Sequence, residues 1–171
     1  MQPINRTVTW PNHTAMITGV NAARHDVLLN GDVIFGEHRE PPRIEPWIDK
    51  EKMVHVPEVY DLARENGLTT AQVDWVAIHH AHGIQWRFPE LPDPDGEVER
   101  DLIAQGVVTA EQLRDFNKSS SAWRDQIRID AVADILGSII PTCWCYTLLT
   151  SITRTCLRSD RSRESYVNEE S

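Results

Sequence analysis

Hydrophobic and polar positions along this chain change period several times, and each change marks an element. Arg6-Thr7-Val8-Thr9 alternates polar and β-branched residues and predicts the end of a strand. Pro11 fixes φ and lacks a donor, which suits a first helical turn, so residues His13 to Val20 read as a short apolar helix stopped by Gly19. Residues Val56 to Asn66 predict a second helix, with Pro57 at its start, Val59, Leu62 and Ala63 on one face, and Gly67 as terminator. Leu68 to Ile78 has β-branched and aromatic content bounded by Gly67 and the His run, and reads as a buried strand. Strand, helix, helix, strand in this order predicts an α/β fold with a mostly parallel sheet and flanking helices.

Farther along, Thr109-Ala110-Glu111-Gln112 is a capping box opening a helix through Phe116. Ser121 to Leu136 carries Trp123, Ile127, Ala131 and Ile135 as an apolar stripe, read as core. Asp32 to Trp47, with three prolines and few apolar pairs, reads as an extended surface loop, as does the proline-rich stretch from Phe88 to Gly96. Beyond Gly137 the character shifts. Ile139 to Leu149 is apolar, whereas Arg158 to Ser171 is dense in Arg, Ser and Glu, and its last residues are expected to be disordered. The division expected is a domain over 1–137 and an atypical tail over 138–171.

Composition narrows the function. A length of 171 residues suffices for one domain with a real core, and a net charge of −9 without a basic patch argues against nucleic acid or an anionic membrane as partner. No run approaches the ~18 apolar residues of a bilayer span, and Met1 is not followed by a signal-peptide pattern. The three cysteines do not build a disulfide framework. A soluble chain, cytoplasmic by default, is the expectation.

The densest chemistry lies near the start, in Thr9-Trp10-Pro11-Asn12-His13, Thr18-Gly19, His25 and Asn30. A Thr before a helix ordinarily caps free backbone N–H groups, and Asn30-Gly31 is the favoured pair of a type I′ turn. The same geometry has a second use. Free N–H groups and the helix dipole attract an anion, which would sit beside the Thr9 hydroxyl.

These residues, in register, resemble the nucleophile segment of the type I phosphodiesterase and nucleotide pyrophosphatase family of the alkaline phosphatase superfamily. The resemblance implies a partial alkaline-phosphatase-like fold and hydrolysis of a phosphate-ester small molecule through a covalent phosphothreonine at Thr9. It implies a phosphoryl contact from Asn30, with Asn12 and His13 shaping the elbow. It also places Trp75 near the substrate segment, although the residues themselves favour reading Trp75 as plain core. Family enzymes hold two divalent metal ions, usually zinc, bridged by the threonine and ligated by Asp and His residues from across the domain. Those other ligands are absent here: residues 150–156, where one pair is due, read Thr-Ser-Ile-Thr-Arg-Thr-Cys. Back-translated in a shifted frame, residues 139–157 admit an apolar strand followed by Asp and His, which suggests a frameshift or gene-model error near Gly137. The resulting expectation is an incomplete hydrolase that binds no metal of the family type and is inactive alone. The alternative is a non-catalytic phosphate- or nucleotide-binding protein.

Two further clusters draw notice. His79-His80-Ala81-His82 is imidazole-rich, and imidazole suits zinc, copper and nickel. Three His within four residues at a strand end converge poorly on one ion, however, so a polar loop at a cleft edge is expected. Cys143-Trp144-Cys145 lacks a partner pair and reads as an apolar run or a translation artefact.

Overall fold

A computed structural model describes residues 8–36 and 40–138, together with the backbone of 143–146 and 155–158. In chain order the elements are α1 (Thr9–Thr18), α2 (Ala22–His25), β1 (Asp32–Ile34), β2 (Arg43–Glu45), α3 (Lys50–Met53), α4 (Val59–Glu65), β3 (Thr70–Val73), β4 (Trp86–Phe88), α5 (Glu97–Ala104), α6 (Ala110–Arg114), a 3₁₀ turn (Phe116–Lys118), α7 (Ser121–Ser138), β5 (Cys143–Tyr146) and β6 (Thr155–Arg158). The fold is mixed α/β. Its main sheet has the order β4-β3-β5-β6, parallel on both sides of β3 and antiparallel between β5 and β6. Every residue of β3 is buried, as a parallel strand covered on both faces requires.

One core lies between this sheet and α5, α6 and α7. Phe88, Val98, Leu102, Leu113, Phe116, Ile127, Ala131 and Ile135 meet there, with Phe88 and Phe116 edge-to-face at 5.8 Å. A smaller cluster joins Ile17 of α1 to Tyr60, Trp75, Ile78 and Ile84, and another joins Trp10 to Val27, Met53, Val54, Val76 and Ala77. Among the described residues, no helix is long and apolar enough to cross a membrane.

Several sequence expectations need correction. Helix α4 begins at Val59 and buries Ala63 as expected, but with Tyr60 beside it, while Val59 and Leu62 are exposed. Its entry is set by the Glu58 N–H donating to Asp61 Oδ2 at 2.9 Å, with Pro57 outside the helix. The expected long strand from Leu68 to Ile78 pairs only over Thr70–Val73, because Asp74 and Ala77 take left-handed backbone (φ 56° and 58°) that leaves the ladder. The expected loop over 32–47 contains an antiparallel pair, β1 with β2, in register Val33 opposite Ile44. Asn30-Gly31 is not a type I′ turn: Gly31 has φ 131° but Asn30 is not left-handed. Gly31 instead answers a close approach, since a Cβ there would lie 2.8 Å from the Glu45 carbonyl oxygen.

Other readings hold locally. Thr109 Oγ1 accepts from Gln112 N at 3.2 Å while Gln112 Oε1 accepts from Thr109 N at 2.8 Å, completing the capping box. Gly19 ends α1 in the left-handed conformation, its N–H on the Ala15 carbonyl. The expected strand residues Arg6 and Thr7 and the expected disordered end lie outside the described residues. Cys143–Cys145, read as an artefact, falls on strand β5, which pairs with β3 through its backbone.

Arg128 of α7 is buried and donates to Asp125 Oδ1 and to Asp74 Oδ1, each at 2.9 Å, and lies over the Phe116 ring at 5.3 Å. Arg128→Leu should lower unfolding free energy by about 3–5 kcal/mol, because two buried carboxylates lose their counter-ion. Urea denaturation checks this, and adding Asp74→Asn and Asp125→Asn should recover most of the loss.

Candidate functional site

The start of α1 is unusual. Val8 takes the extended N-cap conformation (φ −93°, ψ 155°) and offers no side-chain cap, so Thr9 is the first helical residue. The expectation that Thr9 caps the helix is therefore corrected. The cap comes from a distant residue: Asn30 Oδ1 accepts from Trp10 N at 2.9 Å, twenty positions away in sequence. An acceptor on the second N–H of a helix does what a local cap does, a contribution of about 1 kcal/mol. Pro11 next in line has no N–H to satisfy.

The same turn is tied from inside. Asn12 Nδ2 donates to the Val8 carbonyl at 2.8 Å, and His13 Nδ1 meets the Thr9 carbonyl at 2.6 Å. A carbonyl only accepts, so His13 carries its proton on Nδ1. His13 is fully buried and stands edge-on to Trp75 at 4.9 Å. His25, also fully buried, accepts from Val27 N at Nδ1 (3.1 Å), and burial holds it below the usual imidazole range against the pull of the Pro11 carbonyl and Asp26. Thr9 and Asn30 are exposed. The structure thus brings Thr9, Trp10 N–H and Asn30 together at one solvent-facing end of α1.

Beside this elbow lies a cleft of about 540 Å³, lined among others by Trp10, Trp47, Trp75, His79, Glu90 and Glu99. Trp75 is 4% exposed and packed with Ile17 and Tyr60, as its core reading expects, and it also borders the cleft. Its N–H donates to Gln72 Oε1 at 2.9 Å, and its indole Nε1 has no hydrogen-bond partner. The segment from 74 to 80, whose residues Trp75 and Ala77 to His80 line the cleft, holds three left-handed non-glycine residues, Asp74, Ala77 and His80 (φ 56°, 58° and 52°). Such strain persists only where the surroundings over-determine it, and it concentrates at binding sites.

The cleft is acidic, and its carboxyls sit in dry surroundings. Burial pushes Glu90 up to about 7, with Asp74 adding to the rise and Arg128 opposing it. Burial likewise raises Glu99 to about 7, although its own N–H and that of Asp93 oppose the rise. Asp74 is raised to about 6, burial outweighing Arg128. At the rim, Asp49 is held down at about 2 by hydrogen bonds from His80 and Lys52. His79 is lowered by burial and by its neighbour His80.

The metal-bearing reading of Thr9 can be tested on these residues. Among the described residues, the one group of three or more His, Cys, Asp or Glu with converging ligand atoms is Asp49, His79 and His80, which does not include Thr9 or its neighbours. The residues described beside Thr9 do not fit a two-zinc centre. The three histidines of the run do not converge together: His79 and His80 lie with Asp49, while His82 stands outside the group. Sequence reasoning missed Asp49 entirely, since its only local signal is Asp-Lys-Glu-Lys, an ordinary charged helix start.

No family model and no curated protein matches this chain.

The raised carboxyls fix a sign. Glu90 and Glu99 keep protons in the folded state that an unfolded Glu releases near 4.5, so their contribution to stability is full below that value and lost as pH rises through about 7. Denaturation midpoints should therefore fall less between about pH 5 and about pH 8 in the Glu90→Gln/Glu99→Gln variant than in the parent, other groups being common to both.

Proposed function

We propose that this chain carries the phosphate-ester-recognising elbow of an alkaline-phosphatase-like phosphoric ester hydrolase, of the phosphodiesterase and nucleotide pyrophosphatase type. One observation carries the reading: exposed Thr9 and exposed Asn30, residues the resemblance pairs at a phosphoryl group, meet at the N-terminus of α1 through the Trp10–Asn30 hydrogen bond. The Asn30 carboxamide has the right polarity on both sides. Its oxygen takes the helix N–H, and its Nδ2 group is a donor for an anionic oxygen. The helix dipole favours negative charge at this end. Thr9 brings a hydroxyl beside that position, the group that attacks phosphorus in the enzymes the motif resembles.

Magnitudes separate binding from turnover. Phosphate-ester hydrolysis ranks among the slowest uncatalysed reactions, and enzymes lower its barrier by up to about 29 kcal/mol. A helix terminus supplies at most about 2 kcal/mol, and one hydrogen bond to a charged oxygen about 1.5–3 kcal/mol. The elbow as described supports recognition of a phosphoryl group, and we assign this polypeptide alone binding without appreciable hydrolysis.

Asn30→Asp is the sharpest test. It keeps the oxygen that accepts from Trp10 and replaces the donor with a negative charge, so the melting temperature should change little while affinity for an aryl phosphodiester falls at least about tenfold. Isothermal titration and ³¹P NMR check the affinity. Unchanged affinity in Asn30→Asp overturns the elbow, and metal-dependent hydrolysis abolished by Thr9→Ala overturns the assignment of binding alone.

A further inference from the structure

We propose that Asp49, His79 and His80 form a binding site for a late-transition divalent cation, of the zinc, nickel or copper class, at the rim of the cleft. One ligand atom from each side chain lies within 4.8 Å of the others. Around a tetrahedral zinc with bonds near 2.0–2.1 Å, ligand atoms stand about 3.3 Å apart, so closing the site needs roughly an ångström of side-chain rotation. His80 has the freedom for that movement, its side chain being 68% exposed, and its Nδ1 already lies 2.8 Å from Asp49 Oδ1.

The convergence is built by the backbone. Neighbouring side chains on extended chain point to opposite faces, but the left-handed turn at His80 (φ 52°) leaves the two imidazoles 3.9 Å apart and tilted by 33°. The Lys50 N–H donates to the His79 carbonyl at 2.8 Å, pinning the segment that carries Asp49 to the segment that carries the histidines. Lys52 Nζ holds Asp49 Oδ2 at 3.0 Å, leaving Oδ1 as the oxygen on the histidine side. Trp47 stands edge-on to His79 at 5.9 Å and limits its ring.

Donor chemistry selects the ion. Two imidazole nitrogens and one carboxylate oxygen suit zinc, nickel and copper, whereas magnesium and calcium want oxygen ligands alone. Three protein ligands leave at least one coordination position for water or for an anionic group of a cleft ligand. The third histidine of the run, His82, is engaged elsewhere, its Nδ1 3.2 Å from Glu51 Oε1. The site shares no residue with the Thr9 elbow and stands independently of the phosphate reading.

Titrating chelator-stripped full-length chain with Zn²⁺ and Ni²⁺ by calorimetry tests the assignment. One ion per chain is expected, with affinity reduced at least tenfold in His80→Ala and in Asp49→Asn and unchanged in His82→Ala and Thr9→Ala. Substoichiometric Ni²⁺ should broaden the imidazole NMR signals of His79 and His80 before those of His13 and His25. The NMR readout on the parent chain keeps the test decisive even where a variant unfolds. Absence of one-to-one binding, equal loss in His82→Ala, or broadening that spares His79 and His80 overturns it.

Discussion

A single buried guanidinium governs how the sheet, the long helix and the cleft sit together. Arg128 reaches from α7 to Asp74, the residue that follows β3, and to Asp125 on its own helix. Asp74 is where the chain leaves the sheet: its backbone turns left-handed and its N–H closes on the Phe88 carbonyl at 2.7 Å. The ion pair acts on this turn together with two nearby bonds, Asp74 N–H to the Phe88 carbonyl and Trp75 N–H to Gln72 Oε1. The turn then sends Trp75 to His80 along the cleft, so both the aromatic wall and the paired imidazoles inherit their placement from an ion pair in the core. Burial is the main cause that raises Asp74 and Glu90, and the negative charge of neighbouring carboxylates (Asp125 for Asp74, Asp74 for Glu90) adds to it.

Legibility followed the range of the interactions. The Thr109 and Gln112 capping box spans three residues and needs no tertiary knowledge, and the stripe on α7 faces a core large enough to reward every member. Helix α4 was harder to read. Its apolar residues leave two candidate faces, and the choice of Tyr60 with Ala63 over Val59 with Leu62 depends on which side the sheet lies. The β1–β2 pair hid behind prolines, which flank β2 on both sides and are tolerated at the ends of short edge strands. Long-range polar pairs were invisible for a different reason: Arg128 with Asp74, and Asp49 with His80, lie 54 and 31 positions apart.

The motif itself was legible as a set of residues and not as an arrangement. Thr9 looked like a cap because most threonines at such places are caps, yet Val8 holds that position and contributes no side-chain bond. Asn30 looked like a turn former and serves as the cap instead. The start of α1 is therefore capped by Asn30 and not by the hydroxyl of Thr9.

Gly31 sets a limit on how this arrangement can vary. The Glu45 backbone fills the space where its side chain would be, and the adjoining residue reaches across to the start of α1. Any added carbon would push the two segments apart, and the displacement would be transmitted to the amide of Trp10 rather than absorbed in solvent. The gap between Gly31 and the Glu45 backbone is therefore gauged by a hydrogen atom. Descendants of this sequence could alter the outward faces of the ribbon freely while this one position stayed closed to them.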